Sequence, residues 1–559
     1  MRIFPQKIQD TYPFLWVLGG GILMGCTPAP VGAWYLAWVG MIPLWLVVLQ
    51  RGNLSLILSL KSSGKSSGKS PLQLFSVAES PVSLRKMILL ASFWGAGYHG
   101  LAIFWITGIH PMTWMGVPWL ASLAIAAFCW IFLTLAGAFL VSLWMLSMFW
   151  VDKLVYRKSN HPSTTGGLSI AECLGKILIG TALWCAIEGL FSLGDLWWTS
   201  LSYTQSPENL AILQLGKISG PNTITAAIVA INGFFAAGII SWQTQGKKLV
   251  AGGIGLLISL HLLGWVIYSQ PIADAPEQAL KVGIIQGNIP NTIKLYPEGW
   301  RKAISGYTAG YEQLADQGVV AVLTPETALP FLWSEQVSSR STFYRAVLEK
   351  GVMVWIGGFG RDGNRLTNSL FTVTGQGETV SQYNKFKLVP LGEYIPFEQF
   401  IGGFINRLSP LDAKLQGGKS DQILDTPLGR VVAGICYESA FSRHFRRQTA
   451  LGGELMITAS NNAHYSPAMP AQHHAQDVLR AVEIDRWAVR ATNTGYSGIV
   501  DPHGNTLWLS GINTYETHAH TVYKRQTQTW YVRWGDWLTP LLLLLGLMNA
   551  IRPLLQYQR

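Results

Sequence analysis

Residues 431–438 read VVAGICYE, an apolar run that ends at the thiol of Cys436 and continues into Tyr437 and Glu438. The small and branched residues before the thiol predict a buried β-strand, because short apolar runs of this kind pack well inside a sheet. A nucleophile at the end of such a strand faces a cleft while the strand fixes its direction. A buried structural cysteine is the alternative interpretation of the same pattern.

The sequence on both sides of this strand alternates in type over residues 271–532. Short β-branched runs are separated by stretches with a helical apolar period. Strands are predicted at 281–286, 319–323, 352–356, 369–374, 431–436, 455–459 and 497–500. Helices are predicted at 298–316, 338–350 and 471–487. This alternation predicts one α/β layered domain that is long enough to bury an ample core.

The cysteines are unevenly distributed. Cys436 is the only one in this domain, whereas Cys26, Cys129, Cys173 and Cys185 lie in or beside apolar segments, so no disulfide is expected within the domain. A thiol near its free pKa of ~8.5 is only a few per cent thiolate at neutral pH. Catalysis by Cys436 therefore needs a nearby base or cation.

Two other segments carry such groups. Residues 322–330 read VLTPETALP and place Glu326 just after an apolar strand. Residues 383–393 read YNKFKLVPLGE and contain Lys385 and Lys387. Taken singly, each charged residue could lie on the surface. Taken together, the two segments can supply the base and the cation that Cys436 requires.

The rest of the chain is unlike a soluble enzyme. Of its 559 residues, 49% are hydrophobic and 13% are charged, against roughly 25% charged in soluble proteins. A spanning helix needs about 20 mostly apolar residues, because backbone polar groups cannot stay unpaired in hydrocarbon. Candidate spans lie at 12–29, 33–49, 87–109, 114–150, 174–193, 220–242, 248–269 and 534–551. We expect a transmembrane domain of seven spans at 1–270 and a C-terminal span with a cytoplasmic tail at 533–559.

The net charge is +11, and the basic residues that cause it are distributed as this expected topology requires. They do not indicate a nucleic-acid-binding surface. Basic residues concentrate in the N-terminal segment, in every second connection between spans and in the C-terminal tail, whereas the opposite connections carry only Lys217. By the positive-inside rule, both termini are cytoplasmic and residues 271–532 lie outside the cytoplasm. No nucleic-acid partner is expected.

In order and spacing, the segments of the α/β domain resemble the nitrilase superfamily, whose catalytic set is a Glu, a Lys and a Cys. With the spans before and after it, the whole chain resembles the bacterial apolipoprotein N-acyltransferase family. The stretches that carry the resemblance are QGNIP at 286–290, PETA at 325–328, YNK at 383–385, LVPLGE at 388–393, CYE at 436–438 and TNTG at 492–495. The resemblance implies a nitrilase-like αββα sandwich beside the membrane α-helical domain of about eight spans.

The resemblance also implies roles for particular residues. Glu326 would be the general base, Lys385 the cation that stabilises the oxyanion, and Cys436 the nucleophile. Further positions that matter in the family are matched by Glu393, Tyr437 and Glu438. Because Tyr437 follows the nucleophile, its backbone N–H is a natural oxyanion donor.

The implied reaction is a ping-pong acyl transfer at a bacterial plasma membrane. The acyl donor would be a membrane phospholipid, and the acceptor would be the α-amine of the N-terminal diacylglyceryl-cysteine of an apolipoprotein. Thioester chemistry needs no cofactor, and no cofactor motif is present. No metal site is expected either: His464, His473 and His474 lack a thiol or carboxylate at ligand spacing and are interpreted as exposed or helix-start residues.

The sequence departs from the family pattern in places. Lys387 stands where a His is usual, and Lys385 and Lys387 are expected on the same face of a strand. Leu295 lies near the position of a functional Trp in related enzymes, and residues 460–465, SNNAHY, replace a more usual string. These departures bear on substrate contacts rather than on the three catalytic residues.

Several alternatives remain open on the residues alone. Residues 23–26 could end a cleaved lipoprotein-type signal, and the SSGK repeats at 61–70 could be mistaken for a phosphate-binding loop, although a cytoplasmic linker is expected there. A tethered amidohydrolase would use the same catalytic trio. A transporter would need several intramembrane ionisable groups, of which Glu188 is the clearest. A catalytically silent scaffold is the last alternative.

Overall fold

The computed structural model describes residues 6–50, 83–156, 169–334, 341–390, 392–394 and 415–557. The linker expected at 61–70 lies outside these residues. So do the first residues of the helix predicted at 338–350, which is seen from Thr342 onward.

Apolar stretches of the N-terminal half form a helical region. Two of its helices begin at serines whose hydroxyls accept from backbone N–H groups: Ser83 accepts from Lys86, and Ser169 from Glu172. The helices are α1 (Gln6–Gly25), α2 (Ala37–Gly40), α3 (Ile42–Leu49), α4 (Leu84–Ala102), α5 (Trp119–Val151), α6 (Ile170–Phe191), α7 (Leu210–Leu213), α8 (Gly216–Ser219), α9 (Pro221–Ile240) and α10 (Gly246–Tyr268).

Within the described residues, four helices are long and apolar enough to cross a membrane. They are Trp119–Tyr156, Ile170–Phe191, Pro221–Ile240 and Gly246–Tyr268. Shorter apolar helices occupy Pro13–Gly25, Trp34–Leu49, Leu210–Ser219 and Leu538–Ile551. Large apolar side chains point outward from α5, with Leu120 at 73% and Phe139 at 61% exposure. Such a surface suits lipid rather than water.

The described strands between residues 279 and 523 form two β-sheets. The strands are β1 (Ala279–Gln286), β2 (Ala321–Leu323), β3 (Leu329–Leu332), β4 (Met353–Asp362), β5 (Arg365–Val373), β6 (Thr379–Asn384), β7 (Leu424–Thr426), β8 (Gly429–Ile435), β9 (Leu455–Ser460), β10 (Ala488–Thr492), β11 (Gly498–Val500), β12 (Thr506–Leu509) and β13 (Glu516–Tyr523). The first sheet has the order β13-β1-β2-β4-β5-β6, with β3 beside β4, and the second has the order β12-β11-β10-β9-β8-β7.

The parallel strands lie at the centre of each sheet. In the first sheet β1 pairs with β2 and β2 with β4, so that Val282 lies opposite Ala321. In the second sheet β8 pairs with β9 and β9 with β10, with Val431 opposite Leu455. Antiparallel strands flank both centres, as with β1 and β13. Parallel central strands place their carboxyl ends at a common edge, which is where ligands bind in α/β sheets.

The sheets pack face to face, and each outer face is covered by helices. Ile284 and Leu323 of the first sheet meet Ala433 and Ile457 of the second in the inner core. The helices of the sandwich are α11 (Asn291–Lys294), α12 (Pro297–Asp316), α13 (Thr342–Lys350), α14 (Ser442–Ala450), α15 (Ala468–Ile484) and α16 (Trp530–Trp534). Helices α12 and α13 cover the first sheet. The result is the nitrilase-like αββα sandwich that the sequence implied.

The other helical layer faces the helical region. Val432 and Met456 on the outer face of the second sheet share one apolar cluster with Leu479 of α15 and Trp184 of α6. Polar contacts reinforce this boundary: Arg480 Nη1 donates to the Tyr203 hydroxyl at 3.0 Å. The last helix, α17 (Leu538–Tyr557), returns to pack against α6.

Candidate active site

Three strand ends bring the predicted catalytic residues together. Glu326 follows β2, Lys385 comes directly after β6, and Cys436 comes directly after β8. All three, with Glu393, line one cavity of about 1470 Å³. The expectation that these segments converge on one site is therefore met by the geometry.

Lys385 lies between two carboxylates. Its Nζ donates to Glu326 Oε1 at 2.9 Å and to Glu393 Oε1 at 3.0 Å, and its side chain is 1% exposed. Burial alone would lower the pKa of Lys385, but Glu326, Glu393 and Cys436 outweigh it and raise that pKa well above its ordinary value. Asn368 adds a bridge, because its Nδ2 donates to Glu326 at 2.7 Å and to Glu393 at 2.9 Å.

Glu326 is ionised in this setting. Burial alone would raise its pKa, but Lys385, Lys294 and the Asn368 amide outweigh burial and hold the pKa below its ordinary value. The opposite holds for Cys436, whose pKa is raised to about 12 by burial and by the Glu326 charge, against the effects of Lys385 and the Asn461 backbone N–H. The resting site thus holds a neutral thiol near a carboxylate that can accept its proton.

Strained backbone marks the same cavity. Asn288, Thr327 and Cys436 have φ values of 48°, 45° and 53°, a left-handed conformation that non-glycine residues rarely adopt. All three residues line the cavity. Such strain persists where the surrounding structure fixes it, and it is enriched at functional sites.

Glu438 supports the site from behind rather than from inside the cavity. One carboxylate oxygen accepts from the backbone N–H of Phe386 at 2.5 Å and of Lys387 at 3.1 Å. The other accepts from the Ile435 N–H at 2.6 Å and from the Tyr383 hydroxyl at 2.8 Å. Glu438 therefore ties the segment that bears Lys385 to the strand that bears Cys436.

Tyr437 connects the segment of Cys436 to the helical region. Its hydroxyl donates to the backbone oxygens of Asp195 and Trp197, both at 2.8 Å. Both residues belong to the connection after α6. The residue that follows Cys436 is thus held by a segment far away in sequence.

The expectation that Lys385 and Lys387 share a strand face is wrong. Strand β6 ends at Asn384, so both lysines lie beyond it and point to different partners. Lys387 Nζ donates to Asp195 Oδ1 at 2.7 Å and to the Leu193 oxygen at 3.1 Å, away from the carboxylates that hold Lys385. The Lys385 N–H still donates to the Asn368 carbonyl of β5, but the Lys385 carbonyl accepts from the Gly418 N–H, so the ladder between β5 and β6 ends here.

The interpretation of the three histidines as exposed is also wrong, because His464 is half-buried in the cavity wall and the other two are buried. His473 and His474 lie on the buried side of α15. His473 Nε2 donates to the Cys436 carbonyl oxygen at 2.6 Å, and its Nδ1 accepts from Asn462 at 3.2 Å. His474 Nε2 contacts the Thr506 hydroxyl at 2.9 Å. Their imidazoles are used for positioning, which a sequence pattern does not distinguish from exposure.

Beyond the polar residues, the cavity becomes apolar and runs along α5. The residues of α5 that line it recur at helical spacing and share one face: Ile125, Phe128, Cys129, Phe132, Leu133, Ala136, Gly137 and Leu140. Phe128 and Phe132, which line this part of the cavity, are 61% and 49% exposed rather than enclosed. The cavity is therefore open sideways, toward the surface that suits lipid.

Glu188 has a structural environment. Its carboxylate accepts from Trp184 at 3.0 Å, from Ser200 at 2.5 Å and from Thr225 at 3.0 Å. These bonds hold the segment after α6 against α6 and α9. A carboxylate with this many fixed partners does not resemble an ion-transport site.

The sequence did not identify three polar residues at the site. Asn368 lies inside a strand, Lys294 ends a short helix, and Asp195 lies in a connection of the helical region. Each becomes significant only through contacts with residues distant along the chain. The three consecutive polar residues at 367–369 within β5 were the available signal for Asn368.

Known proteins resemble both halves of the chain. Residues 70–234 match the Apolipoprotein N-acyltransferase N-terminal domain, and residues 281–530 match the Carbon-nitrogen hydrolase family. Among solved structures, the C. elegans NitFhit protein matches with a TM-score of 0.36 and 16% identity, covering 44% of this chain and 61% of that chain.

Several curated relatives match over nearly the full length. An Apolipoprotein N-acyltransferase from Nostoc sp. is 53% identical over 528 residues, which cover 94% of this chain and 96% of the relative. A relative of the same description from Synechocystis sp. is 48% identical, covering 94% of this chain and 97% of its own. A third relative of this description, from Thermosynechococcus vestitus, is 38% identical, and the match covers 94% of this chain and 92% of that relative.

Proposed function

This chain belongs to the apolipoprotein N-acyltransferase family, and from that premise we propose that Cys436 carries an acyl chain from a membrane phospholipid to the α-amine of a lipoprotein's N-terminal diacylglyceryl-cysteine. The chain is an acyltransferase of the nitrilase superfamily. The observation that carries the proposal is the cavity that joins Cys436 to the apolar face of α5.

The size of the apolar groove suits a lipid chain. From Ile125 to Leu140 the groove follows about 22 Å of helix at 1.5 Å per residue. Moving an acyl chain of about fifteen methylenes into water costs roughly 12 kcal/mol at ~0.8 kcal/mol each. A site that keeps the chain in an apolar groove avoids this cost. A small amide would need no such groove, which favours acyl transfer over a tethered amidohydrolase.

In the first half-reaction, Glu326 takes the proton of Cys436 while the sulfur attacks the ester carbonyl carbon of the phospholipid. The oxyanion is stabilised by Lys385 and by the backbone N–H of Tyr437, which as a first-turn donor has no partner inside its own helical turn. The carbon–oxygen bond then breaks, and the leaving oxygen takes the proton from Glu326. Lysophospholipid departs and a thioester on Cys436 remains.

In the second half-reaction, the α-amine of the lipoprotein attacks the thioester carbonyl. Glu326 accepts a proton from the attacking nitrogen, the carbon–sulfur bond breaks, and the leaving sulfur takes this proton from Glu326 to regenerate the thiol. The products are an N-acylated lipoprotein and free enzyme. Water must be kept from the thioester meanwhile, and the apolar walls around the cavity serve that purpose.

The site also has a preferred side of the membrane. The basic connections and tail of the helical region face the cytoplasm by the positive-inside rule, which puts both termini inside and the sandwich on the periplasmic side of the plasma membrane. The cavity then opens toward the outer leaflet, where the acyl donor and the lipid-anchored acceptor both reside.

Incubation of the purified full-length protein with phospholipid alone tests the proposal. We expect mass spectrometry to find one acyl group added to the peptide that contains Cys436, because no amine is present to resolve the thioester. Addition of a diacylglyceryl-cysteine peptide should remove that mass and produce an N-acylated peptide.

Two variants serve as controls. Cys436→Ala should form no acyl-enzyme, whereas Cys26→Ala should form as much as the unaltered protein, since Cys26 lies at the end of α1 and does not line the cavity. An unmodified Cys436 under these conditions would contradict the ping-pong scheme.

A further inference from the structure

Lys294 is a buried cation that the proposed mechanism does not use. It ends helix α11, is 4% exposed, and lines the same cavity as Cys436. Its Nζ donates to the backbone carbonyl oxygen of Glu326 at 3.0 Å. In the part of the chain that the structure describes, its ammonium forms no ion pair. Lysines are almost never fully buried without a counter-charge, so this placement needs an explanation.

The charges that line the cavity explain why Lys294 is buried there. Among the residues that the structure describes, the buried carboxylate of Glu326 and the half-buried carboxylate of Glu393 share one ammonium, that of Lys385. The other nearby pair, Lys387 and Asp195, is self-contained at 2.7 Å. Lys385 therefore leaves one negative charge of the catalytic cluster unbalanced, and Lys294 is the cation adjacent to it. In a low-dielectric cavity, such a charge would otherwise be removed by protonation of a carboxylate.

We propose that Lys294 is a positioning residue that keeps Glu326 ionised, by placing a second ammonium against the backbone of the catalytic carboxylate. This inference rests on the proposed role of Glu326 as general base. A protonated Glu326 could not accept the Cys436 proton, so the cluster needs more positive charge than Lys385 alone provides. The same hydrogen bond also holds the turn at Thr327, whose backbone is left-handed.

The groups around Lys294 come from four other segments. Glu326 and Cys436 raise its pKa, but burial is the larger effect and lowers the pKa to about 8. Lys385 stays charged because its pKa is raised, and Cys436 stays a thiol because its pKa is raised to about 12. His464 stays neutral, since burial and then Lys294 lower its pKa to about 4.

The sign of the pH effect follows from these directions. Below about pH 8 the Lys294 ammonium is charged and stabilises ionised Glu326. Above that pH it is neutral, and its removal should matter little to Glu326. Losing a nearby cation raises a carboxyl pKa by about 1–3 units, so the acid limb of the rate profile should move up by that amount in a variant without the charge.

The test is the rate of Cys436 acylation by phospholipid, measured between about pH 5 and 9 for the full-length protein and for Lys294→Met. We expect the ratio of the two rates to be roughly tenfold or more at the acid end and to approach about two or less at the alkaline end. Lys294→Arg, which keeps the charge, should restore the acid limb. Burial raises the pKa of Glu438 to about 7, but Glu438 titrates in every variant, so its effect on the rate cancels in the ratio of the two rates.

Lys281→Met is the matched control, because Lys281 also donates to a backbone carbonyl, that of Gln317, but on the exposed surface. Its rate ratio should stay near one at every pH. A Lys294→Met ratio that is constant across the pH range would overturn the proposal and indicate a purely structural role. If the unaltered protein itself formed no acyl-enzyme, the proposed function would fail instead, so the two failures are distinguishable.

Discussion

At the scale of single residues, the site depends on an acceptor that never touches the substrate cavity. Glu438 receives hydrogen bonds from three backbone N–H groups and from the Tyr383 hydroxyl. These donors belong to the segment of Lys385 and to the strand of Cys436. One carboxylate therefore links the segment of Lys385 to the segment of Cys436.

Glu438→Ala should lower both stability and acylation. Buried donors left without an acceptor cost about 1–3 kcal/mol each, so we expect a loss of several kcal/mol in the free energy of unfolding. Glu438→Gln keeps one acceptor oxygen and should lose less. The thermal unfolding midpoint in detergent and the acylation rate measure the two effects.

Glu349→Ala, on the exposed face of α13, is the control for loss of a glutamate and should leave both quantities unchanged. A Glu438→Ala protein as stable as the unaltered one would show that the four donors find other partners.

The sequence singled out three residues that the fold brings to one cavity, and each of them lies at or just beyond the end of a strand. Glu326 and Cys436 each follow an apolar run, Lys385 follows the polar strand β6, and the three residue types suit one reaction. The sequence did not identify Asn368 or Lys294, because an Asn within a strand and a Lys in a short helix are common in any protein. Their importance depends on contacts with Glu326 that only the fold creates. The left-handed backbone of Cys436 also has no sequence signature, since the residue is not glycine.

At the scale of elements, helix α5 has two different faces. The cavity face includes Ala136, whereas the neighbouring Leu135 is 60% exposed on the outer surface and does not line the cavity. Ala136 lies about 16 Å along the helix from Ile125, the first residue of α5 in the groove. A large side chain at 136 would therefore fill the far part of the groove while leaving the polar site intact.

Ala136→Phe should shift acyl-donor preference toward shorter chains. With a mixture of short-chain and long-chain phospholipids, we expect the ratio of short to long acyl groups on Cys436 to rise roughly tenfold, because about two methylenes of lost burial correspond to that factor at ~0.8 kcal/mol each. Leu135→Phe, one residue away on the outer face, should leave the ratio unchanged. Equal ratios for the two variants would mean that the chain lies elsewhere.

Element prediction was strongest for buried apolar segments. The central strands and the long helices appear within a few residues of their predicted positions. The second predicted span, 33–49, is instead divided into a turn and short helices, because Gly40 and Pro43 interrupt the helical backbone. Strands β6 and β10 were missed because both carry polar residues, and in β10 the buried Arg490 is satisfied by Asp477.

At the scale of the whole molecule, the sandwich and the helical region meet beside the active site. Lys387 and Asp195 form an ion pair of 2.7 Å across this boundary, with side-chain exposures of 16% and 49%. The Tyr394 hydroxyl also donates to Asp195, at 2.8 Å. The connection after α6 thus holds two segments of the catalytic half.

Lys387→Met should slow Cys436 acylation by about fivefold or less, since an ion pair this exposed contributes ~0–1 kcal/mol. Lys385→Met should slow it by at least ~10²-fold, because it removes the charge proposed to stabilise the oxyanion. Asp195→Asn should match Lys387→Met, and the double variant should be no slower than either single one. Near-normal acylation by Lys385→Met would reverse the assignment of the two lysines.

The sideways opening at Phe128 and Phe132 has a kinetic consequence. On the proposed function, a phospholipid donor that enters through this opening never leaves the bilayer, so the reaction rate should depend on the fraction of surrounding lipids that are substrates and not on their amount per volume of solution. Encounter becomes a two-dimensional process, in which inert lipid acts as diluent. A membrane crowded with poor donors would slow this enzyme even when good donors are abundant in total.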